Sequence, residues 1–319
     1  AEPMVAATFN KDLIEKEGEA YGEECLWGNN PIAWSPGMNL HRTPFNARCH
    51  EYYSEDPFLA GHLAKRYIEG VQSEHVGACI KHYACNNAEF NRFDLSSDID
   101  ERTLREIYLK QFEIALEANP YGLMCSYNTI NDTPVYKNKW LFDIARNEFH
   151  FNNLIVSDWG AVKDVPNSIK AGMNLIMSEA DMTPLFDAFK NGEVSEKEIN
   201  NAYKYVEEFL DKCEKDKKLR VLTMDIDKQL EVAKEIADEG IVLLKNNGVL
   251  PLQNGQSISV IGEYANKYIC GGGSAEVPFD SIPEFPTLDD KSSVKKFRNI
   301  EYCLKSIFSK LYFLFVEYL

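Results

Sequence analysis

Between residues 9 and about 212, short apolar runs alternate with longer stretches in which apolar positions recur every three or four residues. That is the order expected of βα units and a parallel sheet. The runs at 32–35, 78–81, 122–126, 154–157 and 174–177 read as strands. They lack strict alternation, as strands buried on both faces do. One helix is expected to open at Asp56-Pro57 and to carry Leu59, Leu63 and Tyr67 along one face, with proline in the first turn where its missing N–H costs nothing. Another starts after Asp100 and buries Leu104, Tyr108, Phe112 and Ala115; a third begins at Ser195, with Glu198 three residues on, the spacing of a capping box. A closed barrel and a doubly wound sheet both fit this alternation.

The pattern changes after residue 213. Residues 214–228 are charged and lose periodicity, which predicts a linker between a first domain at 1–213 and a second, partial one at 229–319. The second unit is expected to open with a helix from about 227 to 239, ending at Gly240, followed by strands at 241–244 and 257–262 with a turn at Asn246-Asn247-Gly248. Beyond the GGGS at 271–274 the chain becomes irregular, with one further helical stretch at about 292–318.

Composition narrows the partners. The chain has 319 residues, 45% of them hydrophobic, enough for one large domain and part of a second. Its formal charge is −16, spread over helical stretches rather than gathered in a tail, which argues against nucleic acid as a partner. A small neutral ligand suits this surface better. The apolar stretch at 307–319 is interrupted by Ser309, Lys310 and Glu317 and is too short to span a bilayer, so no membrane partner is expected. None of the eight cysteines forms a CxxC pair or a zinc-ligand spacing with histidine, so structural zinc is not expected; the candidate site residues call for no metal or other cofactor. Cys79 and Cys125 fall inside strand-like runs, where a thiol behaves as a small buried hydrophobe, and a reducing, cytoplasmic location follows as the expectation. A nucleotide site at 270–274 (CGGGS) lacks the lysine of a P-loop and the spacing of a dinucleotide fingerprint.

If the sheet is a barrel, chemistry gathers where strands end and βα loops begin. The run at 154–157 ends in Asp158-Trp159, that at 78–80 in Lys81-His82, and that at 122–126 in Tyr127-Asn128; Arg48 and Arg92 lie in loop-like segments. Cationic and neutral donors around one carboxylate suit a sugar, whose hydroxyls need holding while its anomeric carbon becomes positive in the transition state. Nearby Lys81 and the arginines would keep Asp158 ionised, as a nucleophile requires. Each residue also has a structural reading. An aspartate after a strand often caps the next helix, Trp159 and Tyr127 could be packing residues, and Arg48 and Arg92 could be ordinary ion-pair partners. Their convergence on strand ends of one face favours the site.

The stretches NARCHEYYSEDPFLAG (46–61), KHYACNNAEFNR (81–92), MCSYNTIN (124–131) and LIVSDWGAV (154–162) resemble glycoside hydrolase family 3, and GIVLLKNNGVLPL (240–252) resembles that family's entry into its second domain. The resemblance runs from about Pro3 to about Val277. It implies an α/β fold: a (β/α)8 TIM-like barrel, here incomplete at its N-terminal end, followed by the start of a three-layer α/β sandwich. It implies a retaining exo-β-glycosidase, β-glucosidase-like, working through a covalent glycosyl-Asp158 intermediate. By the same resemblance Trp159 walls the terminal-sugar subsite, Arg48, Lys81, His82 and Arg92 hold its hydroxyls, and Met124 and Tyr127 form the strand-end pair beneath it.

The departures from the family pattern carry expectations of their own. Ala47 stands where family members usually have glycine and His50 where they have an aromatic, changes expected to alter the loop that presents Arg48. The chain is expected to begin after the barrel's first units and an early substrate-binding aspartate, and to end before the part that supplies the general acid/base glutamate. Glu284, Glu301 and Glu317 lie in the divergent tail, and no motif there assigns any of them the acid/base role. Turnover of natural glycosides would then be poor. The competing expectation is a catalytically inactive remnant that binds carbohydrate, or pairs with a second copy or a complementing chain through exposed strand edges.

Overall fold

The computed structural model describes residues 2–178, 180–219, 224–253 and 255–257. Its centre is a parallel sheet of four strands, β1 (Ile32–Ala33), β2 (Gly77–Tyr83), β3 (Gly122–Cys125) and β4 (Leu154–Ser157), hydrogen-bonded in that order. Leu175 adds a single parallel bridge to Val156, so the expected strand at 174–177 is reduced to one pairing. Strands that follow one another around the sheet without reversal are the winding of a TIM-type barrel, whereas a doubly wound sheet reverses at a switch point. The strand order therefore decides between the two architectures in favour of the barrel.

Side chains alternate between two cores. Ala33, Ile80, Leu123 and Ile155 face the large core shared with the outer helices, while Ile32, Cys79, Met124, Leu154 and Val156 form a smaller inner set. This period of two was hidden in the sequence because both faces are apolar. Val206 and Phe209, three residues apart on the helix Glu196–Lys217, pack against the inner set with Leu175 and Met177.

The outer helices form where the capping chemistry placed them. Asp56 accepts from Phe58 N at 2.8 Å to start the helix Pro57–Ser73, and Ser195 and Glu198 close their capping box. The helix Lys11–Trp27 crosses Pro57–Ser73 closely enough that a Cβ at Gly70 would lie 2.1 Å from the Glu15 carbonyl oxygen. After Asp100 the expected helix forms and buries Leu104, Tyr108, Phe112 and Ala115, but with a π turn over Leu104–Tyr108, in which Leu109 N bonds Leu104 O. The extra residue in that turn is absorbed without breaking the helix.

The helix Glu196–Lys217 runs four residues into the segment expected to link two domains. The helix Ile226–Gly240 also forms, and its Val232 and Ile236 join the same core as Val5, Ala6 and Leu13. Residues 241–244, expected as a strand, have no ladder partner among the described residues, and Leu244 is 92% exposed. A strand needs a neighbour to satisfy its backbone groups. The expected strand at 257–262, the glycine run at 270–274 and the tail glutamates lie beyond or almost wholly beyond the described residues.

Candidate active site

The C-terminal ends of β2, β3 and β4 converge, and a small second sheet ties the loops after β2 and β3 together. Ser96–Ser97, in the loop after β2, pairs with Thr129–Ile130 in the loop after β3, which pairs in turn with Thr133–Pro134. This connection fixes Arg92 and Tyr127 relative to each other.

Asp158 follows the last residue of β4 and is 8% exposed. Its Oδ1 accepts from the Trp159 backbone N–H at 2.6 Å and from the Tyr127 hydroxyl at 2.8 Å. Its Oδ2 is buried and, among the described residues, accepts no hydrogen bond, although His82 Nε2 stands 3.3 Å away. Asp158 is not a helix cap: the next helix, Val165–Ala171, is capped by Asp164, which accepts from Asn167 N at 3.2 Å. A buried carboxylate oxygen without a donor is costly, and such atoms are exceptional in folded proteins.

The distances explain why His82 does not donate to it. Arg48 Nη2 lies 2.9 Å from His82 Nε2, and a guanidinium has no lone pair to offer, so Nε2 must be the accepting nitrogen. Burial, then the charges of Arg48, Lys81 and Arg92, push His82 well below the usual imidazole range, which keeps the ring neutral at pH 7. His82 is further fixed through its backbone: its N–H donates to Asn39 Oδ1 at 2.8 Å and its carbonyl accepts from Asn39 Nδ2 at 2.9 Å.

Lys81 and His82 are neighbours on one strand, yet both reach the site. In a regular strand they would point to opposite faces. Here the pairing with β3 shifts register between Lys81 and Tyr83, and Lys81 Nζ comes within 3.9 Å of Glu51 Oε2. Glu51 also holds Arg48, at 2.5 Å to Nε and 2.9 Å to Nη2. Burial alone would raise the Glu51 carboxyl, but Arg48 and Lys81 outweigh it and hold it below the usual carboxylate range.

Arg92 is held by Glu89 at 2.6 Å and lays its guanidinium over the Tyr127 ring, 4.1 Å from the centroid. Burial first, and then the Asp158 charge, push the Tyr127 phenol upward, so it remains a donor. Met124 belongs to the buried inner set and is the β3 register partner of Lys81. Trp159 is 69% exposed, with its ring available as a wall. All eight residues expected at the site therefore lie at or beside the strand ends. A cleft of about 390 Å³ lies beyond Tyr127, between Phe93, Tyr136 and Lys163.

The Arg48 loop tolerates its unusual residues. Ala47 is not among the residues in the left-handed backbone region, so glycine is not required there. His50 is exposed and turns Nδ1 to the Ala47 carbonyl at 3.1 Å. Sequence reasoning missed Glu51, Glu89 and Asn39. For the two glutamates a signal existed, since each sits three residues from the arginine it holds.

Comparison with known proteins identifies the family. Residues 2–209 match the glycosyl hydrolase family 3 N terminal domain. The chain is 38% identical over 303 residues to an exo-alpha-(1->6)-L-arabinopyranosidase of Bifidobacterium breve, covering 90% of this chain and 40% of that protein. It is 38% identical over 280 residues to thermostable beta-glucosidase B of Acetivibrio thermocellus, covering 86% and 37%. Beta-glucosidase 3B from Thermotoga neapolitana, solved in complex with glucose, superposes with a TM-score of 0.81 at 37% identity, over 86% of this chain and 40% of that one. The chain thus spans about 40% of the length of these relatives. It belongs to glycosyl hydrolase family 3, and its described barrel is that family's N-terminal domain.

Proposed function

We propose that this chain carries the nucleophile and terminal-sugar subsite of a retaining exo-β-glycosidase acting on small β-linked glucosides, with Asp158 as the nucleophile. The observation that carries the reading is the asymmetry of the Asp158 carboxylate: Oδ1 is clamped by two donors, while Oδ2 is buried and takes no donor among the described residues. A nucleophilic oxygen must have a free lone pair and little water to displace. Oδ2 forms a bond to the anomeric carbon as the bond to the leaving oxygen breaks, that oxygen departing as the anion from an activated aryl glycoside and as the alcohol, with a proton taken up, from an ordinary one; the glycosyl ester left behind is later cleaved by water. Arg48, Lys81 and Arg92 hold the sugar hydroxyls and His82, through its contact with Arg48, fixes that guanidinium among them, so that the rigid set of donors stabilises the transition state without reorganising. Trp159 supplies an aromatic wall and Met124 the floor.

The names of the relatives, two β-glucosidases and an arabinopyranosidase, support an exo-acting glycosidase and leave glucose as the first sugar to test. The test is release of p-nitrophenol from p-nitrophenyl β-D-glucopyranoside, whose leaving group needs little proton donation. Wild-type chain is expected to turn over and Asp158→Ala to lose on the order of 10³-fold or more. Equal rates for the two would overturn the assignment.

A further inference from the structure

We propose that Glu51 is a positioning residue which, through Arg48, holds His82 in the tautomer protonated on Nδ1 and so keeps Asp158 Oδ2 free to attack; the catalytic half of this statement rests on the function proposed above.

Glu51 lies at the end of the one-turn helix Cys49–Glu51 that follows Arg48. Its two oxygens grip Nε and Nη2 of the guanidinium at 2.5 and 2.9 Å, the paired geometry that fixes a planar group in orientation as well as place. Nη2 has two hydrogens. With one directed to Glu51, the other meets His82 Nε2 at 2.9 Å. Arginine only donates, so this contact exists only while Nε2 carries a lone pair. The ring proton is therefore on Nδ1, where Asn39 Oδ1 at 3.3 Å and the Tyr52 hydroxyl oxygen at 3.5 Å are its neighbours. Asn39 cannot easily turn its amide the other way, because the backbone N–H and carbonyl of His82 engage both of its ends.

The alternative tautomer would set an Nε2–H against the Arg48 N–H and place a positive hydrogen beside Asp158 Oδ2, 3.3 Å from Nε2, where a turn of the ring would make it a donor to that oxygen. Such a hydrogen bond would take one of the oxygen's lone-pair directions and draw charge from the atom that attacks. Removing the Glu51 grip frees Arg48 to turn and leaves the longer contact to Asn39 Oδ1, 3.3 Å, as the remaining hold on the Nδ1 proton. Glu51 touches neither sugar nor Asp158 in this scheme; it acts through two intermediaries.

The test is nitrogen NMR of the full chain labelled with ¹⁵N-histidine, the His82 signals being assigned with His82→Asn. In wild type, Nε2 is expected to resonate as the unprotonated nitrogen and Nδ1 as the protonated one. In Glu51→Gln, population is expected to move to the Nε2-protonated form, and labelling by 2-deoxy-2-fluoro-β-D-glucosyl fluoride to slow about 10- to 100-fold, the rate equivalent of one charge-assisted hydrogen bond. A protonated Nε2 in wild type overturns the proposal without any variant, so a poorly folding Glu51→Gln does not shield it. An unchanged tautomer in a folded Glu51→Gln also overturns it. A tautomer shift in a chain that never takes the label supports the positioning and counts against the catalytic reading instead.

Discussion

The Tyr127 hydroxyl lies 2.8 Å from Asp158 Oδ1 and 3.0 Å from the Trp159 carbonyl oxygen, so one phenol proton fixes both the carboxylate and the backbone that carries the tryptophan. Tyr127→Phe removes that proton while keeping the ring under Arg92. The carboxylate then has only the Trp159 N–H on Oδ1 and can rotate. Formation of the glycosyl-enzyme, followed by mass spectrometry over time, is expected to slow about 10- to 100-fold. An unchanged rate would show that the backbone donor alone suffices.

Arg92 tests the subsite rather than the nucleophile. Its planar guanidinium stacks on Tyr127 and is held by Glu89, and a lysine keeps the charge but neither the stacking nor the fork. Arg92→Lys is expected to weaken competitive inhibition by glucose about tenfold while the labelling rate at saturation changes less. A larger effect at saturation than on inhibition would place Arg92 in the chemistry instead.

Acid should destabilise the fold through His82. Its pKa is depressed in the folded chain, first by burial and then by Arg48, Lys81 and Arg92, so below an unfolded value of about 6.5 the unfolded chain binds the extra proton. Stability attributable to His82 is complete above that pH and falls as pH drops, by at most about 1.4 kcal/mol per unit. Glu51, also depressed in the folded state but from the carboxylate range, adds a second loss at lower pH. Melting temperatures of wild type and His82→Asn are expected to converge as pH falls from 7 toward 5. Parallel curves would mean His82 is not a depressed base.

Gly70→Ala sets two effects against each other. Alanine favours a helix over glycine by about 0.5–1 kcal/mol, but its Cβ would fall 2.1 Å from the Glu15 carbonyl oxygen, a rigid backbone atom. Overpacking of this kind costs about 1–3 kcal/mol, occasionally more. The clash wins, and the melting temperature is expected to drop by several degrees. A rise would mean that the crossing of Lys11–Trp27 over Pro57–Ser73 is looser than described.

Much of this site was legible because its chemistry sits at strand ends, where apolar runs stop at polar residues. Asp158, Lys81, His82 and Tyr127 each mark such a stop. The residues that orient them were harder to read. Asn39 acts across 43 positions on His82, a contact no local spacing announces, and Glu51 and Glu89 were lost among many acidic residues although their i,i+3 spacing to arginine was in view. The parallel sheet was legible as alternation of strand and helix, which left barrel and doubly wound sheet both open, but its two-sided packing was not, since Cys79 and Ile80 are both apolar and only their neighbours reveal which faces inward. The π turn at Leu104–Tyr108 left no trace, because burial of Leu104, Tyr108 and Phe112 is compatible with an ordinary helix. Residues 241–244 show the reverse: strong strand propensity without a partner yields no strand.

The central claim is that Asp158 Oδ2 attacks a sugar, and covalent capture tests it most directly. The chain is incubated with 2-deoxy-2-fluoro-β-D-glucosyl fluoride, and its intact mass and peptide map are recorded beside those of Asp158→Ala. One added fluoroglucosyl group, located on Asp158 and absent from the variant, is the predicted result. A folded wild-type chain that gains no mass, or one that carries the group on another residue, would contradict it.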